Sequence, residues 1–229
     1  MQRTENSLIK PITDFFKNQN YITAIEWRTP YAIPDVLAIK PYNKRIKNRL
    51  QSRQIISLNK EIYWRILDII PDKSEGGTVS IEDLSRKLSL SENYLKKYLI
   101  RYLERGNYIK YLGKDRITKI NGFYPYCYEL ITIEAKIAKW KKAAEQAIRH
   151  RLFSNRTYIA LDKKYLHRAL KHISSFRKEK IGILAVDDNE GVELVLKAPQ
   201  IKPRYKYMHY LVLEQFWSRL VKEERVNAS

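Results

Sequence analysis

Asp35, Glu134 and Lys136 are two carboxylates and an amine carried on segments whose composition favours β-strands. Residues 128–136 are dense in β-branched and aromatic side chains, which predicts a strand ending in polar groups. Side chains alternate across a strand, so Glu134 and Lys136 share one face while Ile131, Ile133 and Ala135 share the other. Residues 33–39 predict a second strand, with Pro34 in its first turn, where a missing ladder donor is tolerated, and Asp35 at its mouth. Two carboxylates converging on one point are hard oxygen ligands suited to Mg²⁺ or Mn²⁺, which keeps several waters and completes its shell with a substrate phosphate. Such an ion polarises a phosphoryl oxygen and acidifies a bound water, and a neighbouring lysine holds that water or offsets developing charge. The chemistry implied is metal-dependent hydrolysis of a phosphodiester.

Pro34-Asp35 followed by Glu134-Ala135-Lys136 resembles the signature of the PD-(D/E)xK nuclease superfamily, which includes restriction endonucleases, Holliday-junction resolvases and RecB-type exonucleases. The resemblance implies an α/β, restriction-endonuclease-like fold, a central mixed sheet flanked by helices. It implies Mg²⁺ or Mn²⁺ held by Asp35, Glu134 and the backbone carbonyl of Ala135, with Glu5 on the first helix as a further ligand. Lys136 becomes a catalytic residue beside Asp35 and Glu134, and Gln146 matches the glutamine that some members carry on the following helix. The tyrosine that RecB-type members place four residues later is absent, and His150 stands there.

Short patterns have decoys. Pro71-Asp72 repeats the first element but opens a turn-rich segment, 72–77, with no apolar strand behind it. Asp162-Lys163-Lys164 satisfies the second element at the end of an expected strand, 157–161, but no acid-bearing partner strand precedes it.

The 229 residues hold 44 Lys and Arg against 25 Asp and Glu, a net charge of +19, which predicts attraction to a polyanion, nucleic acid before all others. Lys40, Lys44, Arg45, Lys47, Arg49, Arg53 and Lys60 follow Asp35 with no acid among them. A second basic run, Lys139, Lys141, Lys142, Arg149, Arg151 and Arg156, follows the Glu134 strand. Neutralising phosphates with such side chains makes binding steeply salt-dependent. Hydrophobic content of 44% suffices for a core, and Cys127 is the chain's one cysteine, which excludes an internal disulfide and a CxxC zinc site. Without a cleavable signal or a long apolar run, the expectation is a soluble, intracellular protein, cytoplasmic and associated with the nucleoid.

Positions 36–133 separate the two acids, far more than a hairpin needs, so a folded insertion is expected. Residues 58–70 predict a helix with Ile62, Ile66, Leu67 and Ile70 on one face. Ser80 and Ser91 each sit where a helix N-cap belongs, and Asp83 stands at the third position after Ser80. Tyr94, Leu95, Tyr98, Leu99, Tyr102 and Leu103 recur at helical spacing up to Gly106, and 108–112 with 116–120 form a hairpin around Gly113-Lys114-Asp115. Three helices and a hairpin, with Leu103-Glu104-Arg105-Gly106-Asn107 after the third helix, resemble a winged helix-turn-helix domain. That resemblance places Asn93, Lys96, Lys97 and Arg101 of the third helix, with Lys114 and Arg116 of the wing, against DNA. The domains expected are a discontinuous nuclease-like body, 1–54 with 121–229, and a winged helix-turn-helix over 55–120.

Beyond Lys136, helices over 137–152 and 163–176 alternate with strands over 157–161, 181–186 and 192–196, and 207–226 reads as an amphipathic C-terminal helix. The functional expectation is a Mg²⁺-dependent DNA endonuclease acting on double-stranded or branched DNA, as in restriction, transposition or repair. The alternative is a non-catalytic DNA-binding regulator or assembly subunit on a nuclease-like scaffold. A homodimer or a partner protein subunit fits either.

Overall fold

The computed structural model describes residues 4–29, 31–72, 76–120 and 126–227. Residues 73–75 of the segment after Pro71-Asp72, and 121–125 beside the expected domain boundary, lie outside this set. In chain order the elements begin α1 (Glu5–Lys17), β1 (Ile22–Ile25), β2 (Val36–Pro41), α2 (Asn43–Gln51), α3 (Glu61–Ile69), β3 (Thr78–Ser80) and α4 (Ile81–Leu88). There follow α5 (Glu92–Tyr94), a π-helical stretch (Leu95–Ile100), α6 (Arg101–Arg105), β4 (Ile109–Gly113), β5 (Arg116–Lys119) and β6 (Cys127–Lys136). The remainder is α7 (Trp140–His150), β7 (Arg156–Asp162), a 3₁₀ turn (Lys163–Tyr165), α8 (Leu166–Leu170), α9 (Ile173–Lys178), β8 (Ile181–Asp187), β9 (Gly191–Leu196) and α10 (Lys206–Asn227). The fold is mixed α/β.

The chain divides into two compact units, Met1–Tyr42 with Cys127–His209, and Asn43–Tyr126 with Tyr210–Ser229. In the first, a six-stranded mixed sheet runs in the order β1-β2-β6-β7-β8-β9. β6, β7 and β8 are parallel, joined by helical crossovers, and antiparallel strands flank them, β2 with β1 on one side and β9 on the other. Leu8, Ile12 and Phe16, four residues apart on α1, bury one stripe against Val36, Ala38, Ile131, Ile133, Ala135 and Tyr158. On the opposite face Ala143 and Ala147 of α7, small enough for close approach, pack with Ile159, Leu161, Phe176 and Ile183. Gly182 has a steric reason: a Cβ there would run into the Tyr158 ring and come within 2.7 Å of the Leu196 carbonyl.

Several boundaries differ from the sequence expectation. β2 starts at Val36, not at Ile33, so Pro34 and Asp35 lie on the approach to the strand; the Asp35 carbonyl accepts from Glu26 N–H at 3.0 Å and closes the β1–β2 hairpin. The helix expected over 163–176 is broken, because Asp162 Oδ1 turns the chain by accepting from Lys164 N–H at 2.9 Å and the chain leaves helical geometry at His172.

In the second unit β3, β5 and β4 form a three-stranded antiparallel sheet, in that order. Ser80 Oγ accepts from Asp83 N–H at 3.0 Å and donates to Asp83 Oδ2 at 2.7 Å, starting α4; Ser91 Oγ accepts from Tyr94 N–H at 3.3 Å. Gly113, Lys114 and Asp115 all adopt positive φ, which closes the β4–β5 hairpin tightly. The helix around 92–105 widens over Leu95–Ile100 into a π-helical turn, a rare form that the apolar spacing does not announce. The unit takes in α2 and the C-terminal segment from Tyr210, both outside the span expected from sequence. A buried ion pair explains this: Arg49 donates to Glu214 Oε1 at 2.6 Å and Oε2 at 2.7 Å, with the guanidinium 4.1 Å from the Trp217 ring.

Candidate active site

β2 and β6 pair antiparallel with Val36 opposite Ile133, and one step beyond the ladder Asp35 meets Glu134. The Ala135 N–H donates to Asp35 Oδ2 at 2.7 Å, which fixes the aspartate at the mouth of the sheet, 27% exposed. Lys136 Nζ lies 3.3 Å from Asp35 Oδ2, 3.2 Å from Glu5 Oε2, 4.0 Å from Glu134 Oε2 and 2.9 Å from the Ala135 carbonyl. Glu5 reaches the cluster from the first turn of α1 and stays 48% exposed. One ammonium thus stands among three carboxylates.

Glu134 is fully buried, and neither of its oxygens has a hydrogen-bond partner among the described residues. Burial, then the charge of Asp35 and the closeness of the two carboxyl groups, which favours a shared proton, pushes its carboxyl up to about 8, against the opposing pull of Lys136 and Arg149. For Lys136, burial works against the charge, but Asp35, Glu5 and Glu134 outweigh it and hold the ammonium above its ordinary range. Lys136 is therefore a fixed cation at neutral pH, not a base.

His150, which stands where RecB-type members carry a tyrosine, brings its Nε2 within 3.2 Å of Glu134 Oε1. Burial, then the nearby Arg149 cation, lowers the imidazole to about 4. The contact is consequently no ion pair: at neutral pH an uncharged ring abuts a carboxyl that retains its proton. Gln146 lies one turn before His150 on the same face of α7, half-buried, with its side-chain oxygen enclosed and unpartnered among the described residues. That i, i+4 relation was the available signal for His150.

No group of three or more His, Cys, Asp or Glu side chains arranged to hold a metal occurs among the described residues. Two carboxylates, Asp35 and Glu134, with the Ala135 carbonyl nevertheless form a hard oxygen donor set of the kind that suits an ion retaining several waters. The desolvated oxygens of Glu134, which make no hydrogen bond among the described residues, fit such an ion, because a cation would add attraction that the Lys136 ammonium, 4.0 Å away, supplies only in part.

In the second unit Asn93, Lys97, Arg101, Lys114 and Arg116 are exposed. Lys96 differs: its ammonium is 2.9 Å from Asp115 Oδ2 and 3.3 Å from Glu92 Oε2, so it ties the helix to the β4–β5 turn. Arg116 also donates to Thr78 Oγ1. No helix of the described residues is long and apolar enough to cross a membrane. Comparison with known protein families, curated proteins and solved structures finds no match to this chain.

Proposed function

We propose that the chain is a divalent-metal-dependent DNA endonuclease of the PD-(D/E)xK kind, with a winged helix-turn-helix in its second unit that binds DNA. The observation that carries the reading is Glu134: a carboxyl with two unpartnered, buried oxygens, beside Asp35 and Lys136 at the mouth of adjacent strands. A purely structural acid at a strand end would face water or find donors.

Asp35, Glu134 and the Ala135 carbonyl would hold Mg²⁺ or Mn²⁺, with Glu5 as a further, exposed ligand. When bound, the ion would polarise the scissile phosphate and acidify an attacking water. Lys136, kept protonated by its carboxylate neighbours, offsets negative charge gathering on the phosphate and orients the water by donation. On the α7 side His150 abuts the Glu134 carboxyl, and Gln146 lies one turn earlier on the same helix face. The element order helix, strand, helix, helix, hairpin in the second unit supports the winged-helix reading, and a net charge of +19 supports a nucleic-acid substrate.

Supercoiled plasmid incubated with the protein in Mg²⁺, Mn²⁺ or EDTA tests the proposal. Nicked or linear product that requires the metal and disappears in Lys136→Ala supports it. Absence of cutting with a salt-sensitive mobility shift favours the regulator on a nuclease-like scaffold.

A further inference from the structure

Tyr94 and Tyr98 lie on the exposed side of the helix around 92–105, 43% and 54% exposed, with ring centroids 5.4 Å apart. Other tyrosines of the same unit behave differently: Tyr63, Tyr108 and Tyr126 are buried, and the Tyr108 and Tyr126 hydroxyls bond to backbone carbonyls. Leaving two neighbouring rings half in water forgoes part of the apolar burial available to them and leaves their outer faces open to a ligand. Basic side chains interleave with the rings along one stripe: Lys97 has its ammonium 5.3 Å from the Tyr98 ring, and Arg101 and Arg105 follow, both exposed. The π-helical stretch Leu95–Ile100 carries Lys97 and Tyr98 itself, with Tyr94 just before it and Arg101 just after, and widening a helix at this point changes which side chains share its outer face.

Alternating aromatic and cationic groups match a nucleic-acid strand whose bases are not stacked in a duplex. Cations follow the phosphates, and rings accept base faces. In an intact duplex those faces are covered by their neighbours, so exposed tyrosines gain nothing by stacking there. Lys96, beside the stripe, is ion-paired at the surface with Asp115 and Glu92.

We infer that the Tyr94–Tyr98 face binds DNA with unpaired bases, such as the arms of a fork or a single strand. This rests on the nuclease reading for the choice of DNA, and it narrows the substrate class from double-stranded or branched DNA to structures with unpaired bases.

The test uses the full chain in EDTA, with one labelled oligonucleotide sequence offered as single strand, fork and perfect duplex, read by fluorescence anisotropy. Fork or single strand should bind more tightly than duplex. Tyr94→Ala with Tyr98→Ala should weaken that binding by about tenfold or more for each ring lost, while Tyr94→Phe with Tyr98→Phe keeps it. A circular dichroism melt of each variant separates lost binding from lost folding, and a single Tyr98→Ala serves if the double variant does not fold. Equal or tighter duplex binding, or a double alanine variant that binds as the parent does, overturns the inference. Tyrosine-dependent self-association without a preference for unpaired DNA also overturns it and assigns the face to a second copy of the chain. Metal-dependent plasmid cutting is scored separately: cutting without fork preference sinks only this inference, whereas no cutting with fork preference sinks only the catalytic reading.

Discussion

His150 Nε2 approaches Glu134 Oε1 to 3.2 Å, with both side chains sealed from solvent. Burial disfavours charge on each partner, raising the carboxyl to about 8 and lowering the imidazole to about 4. The protein alone at neutral pH therefore keeps a proton on Glu134, and a bound cation must displace it.

Binding of Mn²⁺ should accordingly tighten as pH rises from 6.5 toward 8.5, because less work goes into removing that proton. Calorimetric titration at the two pH values checks this. Glu134→Gln should abolish the binding while leaving the metal-free protein at least as stable as the parent above pH 8. The sign follows from linkage: a carboxyl raised from 4.5 to about 8 favours folding below its unfolded value, and that contribution is lost as pH climbs through 8. A melting temperature for the variant well below the parent's at high pH would show that Glu134 stabilises the fold directly.

Lys136→Met keeps the stem and removes the charge. Cleavage should fall by about a hundredfold or more, as expected when one positioned donor to a developing oxyanion is lost. DNA affinity should change little, since Lys136 is buried among carboxylates and adds almost nothing to the surface potential. Gel shift and plasmid nicking on the same preparation separate the two effects; equal loss of both would place Lys136 in DNA binding.

The alternation within 128–136 was enough to put Glu134 and Lys136 beyond one sheet face and Ile131, Ile133 and Ala135 in the α1 core. The mixed sheet was equally legible, because its strands are long and apolar. β1 and β3 are too short to carry a pattern, and α2 carries none because Ile46 and Leu50 are its only apolar residues in a basic run. Pairings at long sequence separation were illegible in principle. Arg49 read as one of several phosphate-seeking cations, yet it is buried against Glu214, and the surface ion pair of Lys96 with Asp115 has no trace in the pattern that read Lys96 as a DNA contact. A charge pattern reports composition; only the fold assigns partners.

His209 supplies an acid-side prediction. It is buried with Nδ1 2.7 Å from the Phe153 carbonyl, and burial, partly offset by that bond, lowers it to about 4. The unfolded chain then binds more protons than the native one between 6.5 and 4, so stability must fall as pH drops through that window. The effect is on the order of 3 kcal/mol for a shift of this size. His209→Gln, which cannot charge, should lessen the fall of the urea midpoint between pH 6.5 and 4 relative to the parent, leaving the share of His150, which burial lowers to the same value. An unchanged slope would assign the acid sensitivity to other groups.

Glu214 anchors the C-terminal helix within the second unit. It accepts two bonds from Arg49 and one, at 2.8 Å, from the Leu58 N–H, while Arg49 also donates to the Tyr108 hydroxyl at 2.7 Å. Glu214→Ala leaves a guanidinium and an amide N–H buried without their acceptor, which should cost about 3–5 kcal/mol in this unit. Much of that cost comes from the stranded charge, not from the pair's own attraction. Replacing both partners by apolar side chains, Arg49→Met with Glu214→Leu, should therefore recover much of the loss, because two desolvated charges vanish together. Urea unfolding of the parent, the two single variants and the double variant forms the cycle. If the double variant is as unstable as Glu214→Ala, the residual cost lies with the bonds to Leu58 and Tyr108 that apolar side chains cannot replace, and the network, not the ion pair, holds the helix.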